Sequence, residues 1–215
     1  MKRFLPILLG LLLAAPLLAA TETNAPAADT EANYTKAIEG RTADILKALA
    51  LTNTAKATAV HDAVMGQYRA LRTWHDANDA KLKKAKDTNE IATIDASLKT
   101  LHNEFIGKLS KNLTPKQVDV VKDKMTYGVV QVTYNAYCQM YPDLTDAEKQ
   151  QIMAWLVEAR ETSMDQGSSN EKHAVFGKYK GRINNYLSKE GYDGKTGKKR
   201  VNQLTGFSNT NSLAK

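Results

Sequence analysis

The polar chemistry of this sequence is concentrated in two stretches. Between Ser168 and Asp193, the residues His173, Lys178, Lys180, Arg182, Asn184, Asn185 and Tyr186 stand around two glycines, Gly177 and Gly181. All seven can donate hydrogen bonds, and Lys178, Lys180 and Arg182 are cationic at neutral pH, so their natural complement is a carboxylate or a hydroxyl-rich ligand. The second stretch is WHDANDAK, Trp74 to Lys81. Its His75 and Asp79 are four residues apart, on one face of a helix, where they can hydrogen-bond and fix the imidazole tautomer that a general base needs. Asp76 adjoins them. The same residues also suit blander uses, a solvated helix face or a hydrogen bond between helices.

If the two stretches meet, His75, Asp76 and Asp79 face His173, Lys180, Arg182, Asn184 and Tyr186, with Asp165 nearby. Such a cluster could bind a saccharide. It could also act as a lyase or hydrolase, with His75 or His173 as base and Arg182 stabilising an enolate. No metal is expected, because there is no H-x-x-x-H, no second cysteine and no acidic ligand loop. No cofactor is expected either: Gly194-Lys195-Thr196 lacks the glycine of a phosphate loop, Lys189 standing in its place.

The elements that must position these residues are helices. Ser168 with Glu171 forms a capping box, Gly191 suits a left-handed C-cap with Tyr192 packing back, and Phe176, Ile183 and Leu187 mark a buried stripe between them. Two glycines inside a helix cost roughly 1 kcal/mol each against alanine, which predicts something close to the backbone at Gly177 and Gly181. WHDANDAK lies in the second half of a helix of about 30 residues opening after Thr52, with a kink expected at Gly66. Asp146 to Gln166 is a third helix, capped by Gly167. Its last turn carries Asp165, a carboxylate that the helix dipole disfavours there and that a chain turning back would set beside Lys172, His173 or both.

Further stripes fill the chain between. Tyr34 to Ala50, Ile91 to Leu109 and Pro115 to Met125 are helical, and Gly128 precedes a short helix carrying Tyr134, Tyr137 and Tyr141. Leu51-Thr52, Leu113-Thr114 and Leu144-Thr145 each place an apolar residue before a threonine that caps a helix. No segment alternates as a strand does, so the fold class is all-α, one bundle of about six or seven helices over 34–193.

Met1 to Ala20 reads as a signal peptide, Lys2 and Arg3 preceding an apolar run too short to span a membrane. Residues 21–33 read as a flexible leader and 194–215 as a mobile basic tail. Export excludes nucleic acid as the natural partner and places the protein in the periplasm or outside the cell, with no stable membrane anchor. A single cysteine, Cys138, cannot form an internal disulfide, so it is expected in the core. Net charge is +7, and Glu171 to Arg200 holds nine Lys/Arg against three Asp/Glu. One end is basic, and an acidic polysaccharide is its fitting partner.

HAVFGKYKGRINNYLSKEGYD, with MTYGVVQVTYNAY, MAWLVEARETSMDQGSS and WHDANDAK, resembles domain of unknown function 3826, a family of secreted bacterial helical proteins, over roughly 34–193. The resemblance implies a helical exported domain, loosely labelled sugar-binding, in bacteria that degrade plant polysaccharides. Gly194 departs from the hydrophobic residue expected after GYD. The phrase LTPKQ, Leu113 to Gln117, also resembles small periplasmic helical chaperones of the Spy and CpxP type. The expectation is an exported protein that binds or processes carbohydrate, acidic plant polysaccharide fragments in particular, with such a chaperone as the alternative.

Overall fold

The computed structural model describes residues 31–200. The expected signal peptide, most of the leader and the chain beyond Arg200 lie outside them. Seven helices follow one another: α1 (Glu31–Leu49), α2 (Thr54–Lys84), α3 (Thr88–Ser110), α4 (Pro115–Met125), α5 (Val129–Met140), α6 (Asp146–Met164) and α7 (Ser169–Lys189). The fold is all-α, a single-domain bundle.

Two groups of buried side chains hold it. Ile38, Ile45, Val60, Val64, Phe105, Leu109, Val121 and Met125 pack α1 to α4 together, while Tyr137, Ile152, Leu156, Phe176, Ile183, Leu187 and Tyr192 pack α5 to α7. α6 belongs to both, its Met164 closing the first group and its middle lying in the second. Each fully buried Leu, Ile or Phe contributes roughly 1.5–3 kcal/mol by leaving water. Buried Arg160 ties α6 to α4 through Asp119 at 2.7 Å and Asp123 at 2.8 Å.

Capping boxes form at Thr114, Thr145 and Ser168. Before α2 the cap is Asn53 rather than Thr52, its side chain accepting from the Lys56 N–H; an Asx oxygen outcompetes the threonine one residue earlier. α2 runs unbroken through Gly66. α1 starts at Glu31, inside the expected leader, where Glu31 meets Arg72 of α2 at 3.2 Å. Cys138 is only half-buried, because α5 turns Tyr137 and Tyr141 inward instead.

Residues 194–200 are not a mobile tail. After the left-handed Gly191, the chain folds back: the Asp193 N–H donates to Lys198 O, the Arg200 N–H to Gly191 O, and Lys199 pairs with Glu148 at 3.0 Å. Gly197, at φ +69°, lies so close to α5 that a Cβ there would sit 1.8 Å from the Met140 carbonyl oxygen.

Candidate functional site

The nine residues singled out from sequence do not assemble into one site. His75 meets Asp79 at 2.9 Å through Nδ1, as its spacing requires, but its Nε2 lies 2.8 Å from the backbone carbonyl of Asp165. Both ring nitrogens are taken up by oxygen partners within the fold, so neither points to an open site. Gly167 packs on this ring, a Cβ there lying 3.0 Å from Cγ. His75 is a strut between α2 and the α6–α7 turn. Asp76 is exposed and among the described residues reaches only Arg72, at 3.9 Å.

Asp165 does lie near Lys172, whose charge it attracts, but its hydrogen bond goes to a residue that spacing did not mark: His102 of α3 donates from Nδ1 to Oδ2 at 2.8 Å. That bond, outweighing burial, raises the His102 pKa. Oδ1 of Asp165 is buried without a partner among the described residues. His173 does not join them; it stacks on one face of Tyr127, ring centroids 5.3 Å apart.

Further along α7 the other candidates separate again. Arg182 lies over the Trp155 ring at 4.6 Å and pairs with Glu158, and Tyr186 meets the same ring edge-on. Lys180 and Asn184 line a groove of about 540 Å³ between α5 and α7, where the Tyr137 hydroxyl donates to the Asn184 side chain and the Lys180 carbonyl. From Ser169, two residues past the Gly167 that packs on His75, to Arg182 is about 20 Å of helix. Gly177 and Gly181 are exposed, with nothing within 4 Å of where a Cβ would sit. α7 buries its opposite side against α6, so no neighbour among the described residues approaches the glycines.

A different set of residues converges where α1, α2, the α4–α5 turn and the start of α7 cross. Two cavities of about 470 and 410 Å³ adjoin there, sharing Arg41, Tyr68 and Lys172 as lining. The larger is completed by Asp44, Asp123, Lys124 and Tyr127, the smaller by Tyr34, Arg72 and Ser168 at the start of α7. Lys172 is 5 % exposed, its Nζ donating to the last carbonyl of α6, Met164, at 2.9 Å. Burial pulls this amine down to about 8, against the attraction of Asp165. Tyr68 is 7 % exposed, and burial pushes its phenol up to about 12, so the hydroxyl stays a donor.

Among the described residues neither that hydroxyl nor the Arg41 guanidinium makes a hydrogen bond; Arg41 lies over the Tyr68 ring at 5.8 Å. At the rim Tyr127, 45 % exposed, adopts φ +61° just before Gly128 at φ +66°. A bulky residue held left-handed stores on the order of 1 kcal/mol, strain that is characteristic of functional sites. Of this site the sequence marked only Lys172, as a neighbour expected for Asp165; Arg41 and Tyr68 lie on helices whose spacing singles neither out.

A family model described as "Protein of unknown function (DUF3826)" matches residues 35–204. The chain belongs to this family. The DUF3826 match runs past the GYD of Gly191 to Asp193 and takes in the docked turn at 194–200. Among curated proteins none matches the chain. No helix among the described residues is long and apolar enough to cross a membrane.

Proposed function

We propose that this DUF3826 protein is an exported binding protein for acidic carbohydrate, and that the cleft shared by Arg41, Tyr68 and Lys172 receives a fragment of a uronic-acid polymer. The observation that carries this reading is the pair of donors, the Arg41 guanidinium and the Tyr68 hydroxyl, both lining the two cavities and both without a hydrogen-bond partner among the described residues. Arg41 and Lys172 suit a carboxylate, Tyr68 and the exposed Asp44 suit hydroxyls, and the face of the Tyr127 ring not stacked on His173 suits a sugar. The basic balance of the chain favours the same ligand, and export rests on the signal-like Met1 to Ala20.

Thermal unfolding of the protein from Thr21 onward tests this against oligogalacturonates and neutral oligosaccharides. Ligand at a hundredfold over its Kd adds about 2.7 kcal/mol, several degrees at this size. The reading expects a shift with the acidic sugars only, lost in Arg41→Ala and kept in Arg182→Ala. No shift with any sugar removes it.

One observation favours the chaperone alternative. On α5, Val132 is 69 % and Met140 52 % exposed, both bordering the 540 Å³ groove. Suppression of aggregation without sugar, lost in Val132→Ser with Met140→Ser, would support it.

A further inference from the structure

Lys172 has more chemistry available than an ion pair needs. It lies at the junction of the two cavities, buried, its Nζ donating to the neutral Met164 carbonyl, while the nearby Asp165 carboxylate attracts its charge and bonds to His102 through Oδ2. The buried Tyr68, whose hydroxyl has no partner among the described residues, lines both cavities with it. Arg41, also in both linings, is the group to hold a carboxylate.

We propose that the Lys172 amine condenses with the carbonyl of a carboxylate-bearing aldehyde in this cleft, such as the open-chain form of a reducing-end uronate, to give an imine. This rests on the reading of the cleft as an acidic-sugar site. The nitrogen lone pair attacks the carbonyl carbon and a proton moves from nitrogen to oxygen, giving the carbinolamine. Tyr68 donates a proton to that oxygen, which leaves as water. Nitrogen then loses its second proton, which restores the Tyr68 hydroxyl, and the C=N bond is complete. One amine and one aldehyde become one imine and one water, with no oxidant or reductant. The lowered amine pKa of about 8 supports the step, because the neutral form is the nucleophile. At pH 7 the neutral fraction of Lys172 exceeds that of a surface lysine by on the order of a hundredfold.

The test is reductive trapping of the full protein with glyoxylate, the smallest aldehyde carrying a carboxylate, and cyanoborohydride at pH 7, followed by peptide mapping. Early in the reaction a single adduct on Lys172 is expected, slowed in Arg41→Ala and absent in Lys172→Arg. Adducts spread over surface lysines with Lys172 untouched would overturn the proposal. Lys172→Met, checked for its fold by thermal unfolding, keeps the result readable if the arginine variant misfolds. If oligogalacturonate still shifts unfolding while Lys172 stays unmodified, the imine fails and the binding reading stands; if neither occurs, both fall.

Discussion

Arg41 and Tyr68 lie 5.8 Å apart, guanidinium carbon to ring centroid, one on α1 and one on α2, and together they hold two unspent donors at the mouth of a cleft. An exposed cation over a ring contributes only about 0.5–1 kcal/mol, so Arg41→Ala should barely lower stability. A charged hydrogen bond to ligand contributes about 1.5–3 kcal/mol, so the same variant should weaken oligogalacturonate binding by tenfold or more. Titration calorimetry beside chemical denaturation reads both.

Lys172 predicts a pH dependence. Its folded pKa is about 8 against an ordinary 10.5, so the unfolded chain holds the proton more tightly, and stability should rise between pH 8 and 10.5. The full shift corresponds to roughly 3 kcal/mol. Lys172→Met should flatten that rise, and at pH 7 it should match or exceed the parent in stability while losing ligand. Denaturation midpoints from pH 7 to 10.5 measure it.

His102 acts the other way. Its pKa is raised by the hydrogen bond to Asp165, so the stability it brings is fully present below 6.5 and lost as pH rises through the folded value. His102→Gln should remove this lower-pH slope and leave the Lys172 slope intact. Histidine NMR titration of the parent should show His102 above the ordinary range, returning toward it in Asp165→Asn.

Glycines give contrasting outcomes. Gly197→Ala drives a Cβ against the Met140 carbonyl at a left-handed residue, so the docked turn should be displaced. A loss on the order of 2 kcal/mol and faster proteolysis near Gly191–Arg200 should follow. Gly177→Ala and Gly181→Ala meet open space and should each add up to about 1 kcal/mol. Denaturant melts of the three variants decide.

Tyr127→Gly should relieve the left-handed strain at φ +61°, leaving stability unchanged or higher by up to about 1 kcal/mol, while removing the rim face and weakening sugar binding. A melt and a titration on one variant check this.

The helices were legible in sequence because their signals are local. Capping at Thr145 and Ser168, the Phe176, Ile183 and Leu187 stripe, and the Gly191 cap depend on residues within a turn or two of each other. The His75–Asp79 bond was legible for the same reason. Its second partner, the carbonyl of Asp165, comes from another helix and carries no side-chain signature. The candidates of α7 were grouped by nearness in sequence, yet a helix turns by 100° per residue, so Lys180 and Asn184 reach one groove while Arg182 and Tyr186 reach Trp155. Arg41, Tyr68 and Lys172 come from three helices whose crossing no local pattern encodes, so the turn at Gly167 foretold Asp165 beside Lys172 but not the burial of that lysine against Arg41 and Tyr68.

The most direct measurement is amide chemical-shift mapping of the isotope-labelled protein during titration with an oligogalacturonate. The account predicts saturable changes around Arg41, Tyr68, Lys124 to Gly128 and Gln166 to Lys172, absent with a neutral oligosaccharide. Changes confined to Val132 to Met140 and Lys180 to Gly194, or none at millimolar sugar, would contradict it.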